Sequence, residues 1–238
     1  MRPGLLKALA SFARGEPSAP PAPGEGGAGP TVTWEESFPA TGEGFPKHLF
    51  GEGFSWDEHA GERIVFWDLE TCGLADAPIF LIGALWPEAG QLCFRRTLAR
   101  DPSGEPALLR GAAELLGGAA VWVTFNGRSF DAPRIRRRSA LFGIEIPLPT
   151  EHRDLLIAVR RKWKGRLPDC RLGTVEKRLL GLCRAADDIP GREVPERYRD
   201  YVQSGNSKWI APVLEHNRRD VAAMAVLYRR LRVEGEFV

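Results

Sequence analysis

Apolar residues fall in short dense runs through the first half of the chain and at helical spacing through much of the second. IVFWDLE (64–70), APIFLIGALW (77–86), QLCFRRTLA (91–99) and AAVWVTFN (119–126) are β-rich runs, which predicts buried strands. The second and third are separated by the short Pro/Gly turn PEAG. GEPALLRGAAELLG (104–117) repeats its apolar residues at helical spacing and ends on glycine, as helices commonly do. FDAPRIRRRSALFG (130–143) predicts a helix whose first turn must contain Pro133, because proline is tolerated only there. HRDLLIAVRRKWKG (152–165) predicts a short strand or turn running into a basic helix. Short helices follow over 171–181 and 195–204, then a long one over 208–233, continuous or broken near Pro212. Three strands, helix, strand, helix, short strand and helices make an α/β chain with a mixed five-stranded sheet flanked by helices.

The remaining sequence divides by composition. Residues 1–30 are expected to be a disordered or linker tail, because 15–30 (GEPSAPPAPGEGGAGP) contain almost nothing to bury. Leu5, Leu6, Leu9 and Phe12 ahead of it have helical spacing, and Lys7 interrupts the apolar stretch that a secretory signal requires. Residues 31–62 scatter Trp34, Phe38, Phe45, Phe50, Phe54 and Trp56 without a period, which predicts an irregular or short-stranded lead-in packing on the core. The main domain is expected over 63–238. No apolar run reaches the roughly 18–20 residues that span a bilayer. The four cysteines, Cys72, Cys93, Cys170 and Cys183, form no C-x-x-C pair, so the chain reads as a soluble, cytoplasmic protein of a reducing compartment, with no membrane partner.

Charge changes the picture once it is resolved by position. Lys plus Arg number 33 and Asp plus Glu 31, a net charge of +2 that by itself argues against a nucleic-acid partner. Residues 121–180, however, hold 14 basic and 6 acidic side chains, a net +8 inside an otherwise acidic or neutral chain. Such a block is either a solvated helix face or a phosphate-binding surface.

Three segments concentrate possible chemistry. Asp68 and Glu70 are two apart in an apolar strand and so project from one face. Two carboxylates there are costly unless they meet water or a cation, and their hard oxygens suit Mg²⁺ or Mn²⁺. Asn126, Phe130 and Asp131 lie in TFNGRSFDAP, a strand end, a tight Asn-Gly turn and a helix start. His216 and Asp220 are one turn apart in VLEHNRRD on the last helix.

D-x-E on the first strand of the main domain, N-x₃-F-D after a later strand and H-x₃-D on a final helix, in that order, resemble the DEDD exonuclease superfamily, which has a ribonuclease H-like fold. The resemblance runs from about Arg63 to Leu231, roughly 70% of the chain. VTFNGRSFD, H-x-D-L-L at 152–156, LPDCRLGTVEKRLLG (167–181), DDIPG (187–191) and VLEHNRRD (213–220) look like the YprB-like family of ribonuclease H-like exonucleases. The resemblance implies a 3′→5′ exonuclease releasing nucleoside 5′-monophosphates by a two-metal mechanism. Asp68, Glu70, Asp131 and Asp220 would hold two Mg²⁺ or Mn²⁺ ions, with His216 as general base. Asn126 and Phe130 would line the nucleotide pocket.

The chain departs from the superfamily pattern at the histidine. Members with a catalytic His place it five residues before the last Asp, and members with Tyr place theirs four before. Here Glu215 holds the first position and His216 the second. His216 therefore either removes a proton from the tyrosine's site or orients a water. Arg128, Arg171 and the other basic residues between the second and last motifs are expected to contact substrate phosphates, with single-stranded 3′ ends of DNA or RNA as the partner. Trp163 is either a base-stacking platform or core, and Asp154 either a fifth acid or a helix cap. Alternatives are a structure-selective endonuclease of the same fold and a non-catalytic nucleic-acid-binding module. The N-terminal region is a candidate docking segment for a protein partner.

Overall fold

The computed structural model describes residues 29–39, 63–73, 76–182 and 189–237. Most of the expected tail and lead-in, and Cys183, lie outside the described residues. The sheet is organised around β2 (Ile64–Thr71), buried along nearly its whole length. On one side it pairs antiparallel with β3 (Ile79–Glu88), which turns back into β4 (Gln91–Ala99). On the other side it pairs parallel with β5 (Val121–Thr124), and β5 pairs parallel with β6 (Glu151–Asp154). Helices α1 (Glu105–Gly117), α2 (Asp131–Leu141) and α3 (Leu155–Trp163) alternate with these strands. The short α4 (Leu172–Val175), then α5 (Val194–Ser204) and α6 (Ala211–Val233) complete the chain.

Alternate residues of β2 enter different cores, as the two-residue period of a strand requires. Val65, Trp67 and Leu69 pack with Leu108, Leu109 and Leu116 of α1. Ile64 and Phe66 pack with Leu155 and Val159 of α3 and Val221, Met224 and Tyr228 of α6. Both faces are covered, which is why the strands read as apolar runs without polar alternation. Helix α6 is unbroken, because Pro212 occupies its first turn, where the missing N–H leaves no bond unmade. No helix among the described residues is long and apolar enough to cross a membrane.

The expected five strands are joined by a sixth. Residues 31–39 of the lead-in form β1 and pair antiparallel with β4 over nine positions, giving the order β1-β4-β3-β2-β5-β6. Its weak apolar pattern hides a docking built on charge. Glu35 meets Arg95 at 2.6 Å. Glu36 reaches Arg96 at 2.9 Å and Arg218 of α6 at 3.3 Å. Both arginines are only 2% exposed. Trp34 packs against the first core and lies under the Arg96 guanidinium.

Removing one partner of a buried charge is costly because the other loses its compensation. Glu36→Ala is expected to lower the unfolding free energy by about 1–3 kcal/mol, the scale for depriving buried polar groups of an acceptor. Glu35→Ala, which opens only an exposed pair, is expected to cost under about 1 kcal/mol. Urea unfolding of the two variants measures the contrast, and equal losses would show that Glu36 is no anchor.

Candidate active site

The site forms where β2 outruns its parallel neighbour. β5 pairs with β2 only at residues 64–66, so the far half of β2 has no strand on that side. The N-terminus of α2 occupies the gap. The Asp131 carboxylate accepts from the Leu69 N–H, between Asp68 and Glu70, and from its own N–H. A carboxylate in the first turn of a helix is also favoured by the helix dipole.

The link from β5 to α2 is shaped for this placement. Asn126 has a left-handed backbone (φ +67°), which asparagine tolerates better than other non-glycine residues. Gly127 follows because a Cβ there would come within 2.4 Å of Thr124 Oγ1. Asp154, at the end of β6, holds the turn from below. Its carboxylate accepts from Asn126 N at 2.8 Å, Arg128 N at 3.1 Å and Leu156 N at 3.0 Å. Of its two candidate roles, Asp154 therefore fills the helix cap, on α3, and also latches the loop that carries Asn126 and Asp131. It stands close enough to raise the proton affinity of Asp131.

Helix α6 supplies the other acid and the histidine. Asp220 lies 3.7 Å from His216 Nε2 on the same helix face. Asn217, between them in sequence, donates to Asp68 Oδ2 at 2.9 Å. Glu215 turns away. It pairs with Arg219 at 2.9 Å and faces Arg218 at 3.7 Å, beside the β1 docking network. His216, by contrast, acts on Glu70 and lies beside Asp220.

The four acids act on one another electrostatically. Burial raises the Asp68 carboxyl well above the ordinary range, and the charges of Asp131, Glu70 and Asp220 add to the rise. Burial pushes Glu70 up to about 8; His216 opposes that shift, while Asp220 and Asp131 assist it. Burial pushes Asp131 up to about 7, against its two backbone hydrogen bonds. Among the described residues, no three His, Cys, Asp or Glu side chains close to metal-binding spacing. Crowded carboxylates repel, and they come together when a cation or a proton lies between them. Carboxylate oxygens are hard donors of the kind that Mg²⁺ or Mn²⁺ takes.

The expected substrate contacts are unequally placed. Phe130 is 37% exposed next to Asp131, with the Arg134 guanidinium 4.1 Å from its ring centre. Arg128 is exposed at the same turn, and its guanidinium donates to the His152 carbonyl. Arg171 is exposed at the start of α4, where its N–H donates to Asp169 Oδ1 at 2.9 Å. Trp163 is half-buried in the second core with Lys162 and Arg230 over its ring, which favours core over a base platform. Much of the basic block is committed to the fold. Arg134 donates to Thr71 Oγ1 at 2.9 Å, Arg137 pairs with Asp76, and Arg138 with Glu105. Arg161 and Lys162 pair with Glu236 and Glu234. Sequence reasoning passed over Asn217. The available signal was Gly83 in the middle of FLIGALW, since a glycine inside a strand marks a close approach.

Residues 65–232 match the family model described as the RNase_H superfamily. A curated relative, the "Uncharacterized protein YprB" of Bacillus subtilis, is 34% identical over 171 residues, 70% of this chain. The chain spans 41% of that relative's length. A family B DNA polymerase from the archaeon Pyrobaculum calidifontis shares the fold at a TM-score of 0.57 and 15% identity, over 76% of this chain and 25% of the polymerase. E. coli Exonuclease I in complex with a dT13 oligonucleotide overlaps at a TM-score of 0.48 and 13% identity, over 72% of this chain and 41% of that one.

The titration of the acids has a measurable sign. Glu70 and Asp131 bind protons more tightly folded than unfolded, so they withdraw stability as pH rises toward about 8 and about 7. His152, which burial pushes down to about 4, adds stability as pH rises from there to its ordinary 6.5. Above pH 6.5 the histidine's contribution is complete while Glu70 still titrates. In EDTA the melting temperature is expected to fall between pH 6.5 and 8.5, and Glu70→Gln to flatten that fall. Millimolar Mn²⁺ should offset it. A melting temperature level across this window in EDTA would contradict the burial of these acids.

Proposed function

The chain belongs to the RNase H superfamily, and from that membership we propose that it is a metal-dependent 3′→5′ exonuclease. It hydrolyses nucleic-acid phosphodiester bonds and releases nucleoside 5′-monophosphates, with single-stranded 3′ ends as the substrate. What supports this reading is that the charges of Asp131, Glu70 and Asp220 all act on Asp68, and that His216, 3.7 Å from Asp220, acts on Glu70. The match to YprB supports the family, and the likeness to the polymerase supports the fold.

The four acids would hold two Mg²⁺ or Mn²⁺ ions. Held there, divalent cations supply Lewis acidity and neutralise the charge that develops on a phosphate during in-line displacement. The protein's own groups do the rest. His216 Nε2 accepts the proton of the attacking water, and the neighbouring Asp220 carboxylate favours the imidazolium that results. Phe130 offers an aromatic face to the terminal base, steadied by Arg134. Arg128, exposed at the Asn126 turn, meets the backbone phosphate. Asn126 and Gly127 keep the loop low enough for the terminal nucleotide to reach the acids.

Purified full-length chain is expected to shorten a 5′-labelled single-stranded oligonucleotide one nucleotide at a time in Mg²⁺ or Mn²⁺, and to leave a covalently closed circle intact. Asp68→Ala and Asp220→Ala should each lower the rate at least ~100-fold, the scale for losing a group that stabilises developing charge. His216→Ala should lower kcat by about 10²–10⁴. Cleavage of the closed circle would replace the exonuclease by an endonuclease of the same fold. Tight oligonucleotide binding without turnover would make the chain a binding module. Full activity in either Asp variant would reject the ligand assignment.

A further inference from the structure

We propose that Asn217, seated in the gap that Gly83 leaves in the sheet, is the positioning residue that fixes the Asp68 carboxylate for cation binding. The proposal rests on the reading of Asp68 as a metal ligand and adds to it what holds that ligand in place.

The argument begins with strand register. Asp68 of β2 lies directly opposite Gly83 of β3, which lies opposite Arg96 of β4. Cross-strand partners share a face, so this row reads carboxylate, gap, guanidinium beneath α6. Helix α6 fits it from above. Its Leu214 carbonyl accepts from Arg96 Nη1 at 3.4 Å, and one turn later Asn217 descends over Gly83 to reach Asp68. A Cβ on residue 83 would lie 1.9 Å from Asn217 Oδ1 and 2.9 Å from its Cγ. No side chain other than hydrogen leaves room for the amide.

The chemistry of the contact suits orientation better than packing. Asn217 is 0% exposed, and its Oδ1 has no hydrogen-bond partner among the described residues. An unpaired buried acceptor works against stability, and a leucine of the same shape would avoid it. The Nδ2 end is what the sheet uses. It donates to Asp68 Oδ2 at 2.9 Å and to the Asp68 carbonyl at 3.4 Å, gripping one residue at two points. A lysine or arginine at this position would also hold the carboxylate, but its charge would compete with a cation. A neutral amide fixes one oxygen and leaves the negative charge and the second oxygen available. Partners that orient a metal ligand in this way typically change metal affinity or activity 10–100-fold when removed (~ an order of magnitude or two).

The test separates the lock from the packing and from the metal reading. In EDTA, Gly83→Ala should lower the melting temperature of the full chain by intruding on the amide. The same change in an Asn217→Ala background should cost much less, because the methyl enters vacated space. Equal losses in both backgrounds would overturn the lock. Mn²⁺ titration calorimetry on Asn217→Leu, which keeps the shape and removes the donor, should show about 10–100-fold weaker binding. On an oligonucleotide the same variant should lose kcat with KM unchanged. Asn217→Ala should weaken Mn²⁺ binding similarly. Should Asn217→Leu bind Mn²⁺ as tightly as the parent chain, the residue only packs, and the proposal fails while the metal reading stands. A parent chain that takes up no Mn²⁺ but shows the Gly83–Asn217 coupling upholds the lock and rejects the metal reading.

Discussion

Repulsion among carboxylates at the end of the central strand sets the terms for the rest of the molecule. Asp68, Glu70 and Asp131 are each pushed toward the protonated form, first by burial and then by nearby acids, Asp154 in the case of Asp131. A chain free to rearrange would spread such groups into solvent. Here each is tied to a rigid element. Asp68 and Glu70 stand on the central strand, Asp131 is pinned to Leu69 N–H at a helix start, and Asp220 sits on a 23-residue helix. The apolar packing of β2 on both faces is what allows that strand to carry two unfavourable charges at its end.

The terminal helix is held from two sides for the same purpose. Its second half is anchored by Val221, Met224 and Tyr228 in the core beneath it. Its first half crosses the sheet on polar contacts: Leu214 to Arg96, Asn217 to Asp68 and Arg218 to Glu36. Apolar contacts alone would let a helix slide or roll, because they are not directional. The polar row fixes register, and with it the reach of His216 and Asp220. Strand β1 enters this argument through Glu36, which meets one arginine from the sheet and one from the helix. A segment outside the span matched by the family model thus bears on the placement of groups inside it.

What was legible in the sequence was what short range determines. The runs at 64–70, 77–86 and 121–124 are buried along most of their length, so their apolar content announces them, and 91–99 alternates buried with half-buried positions. The helix starts at Asp131 and Ala211 are marked by Pro133 and Pro212. The acids stand out because each interrupts or caps an apolar element. The sixth strand was not legible, since TVTWEESFP docks through ion pairs to residues some 60 positions away and carries little apolar pattern. Asn217 was hidden for a related reason. Its role depends on β2–β3 register and on the angle at which α6 crosses, and neither is written locally. Asp154 showed its cap locally, but its hold on Asn126 and Arg128 spans 28 and 26 residues.

Net charge by segment proved a coarse guide, and the structure refines it through geometry. A guanidinium that is buried or already paired with a carboxylate offers little further to a phosphate, because it is out of reach or its charge is compensated. Arg134, Arg137 and Arg138 on α2 are in that state, bound to the Thr71–Asp76 loop and to Glu105. They brace the helix that delivers Asp131. Arg161 and Lys162 on α3 are likewise paired, with acids near the C-terminus. Arg160, Lys164, Arg166 and Arg171 remain exposed, on α3 and the turn that follows it. In the proposed reading the block of positive charge therefore does two jobs that its sum conceals. Arg134, Arg137 and Arg138 build the site, and Arg128, Arg136 and the exposed residues from α3 to α4 are the part left for a nucleic-acid backbone.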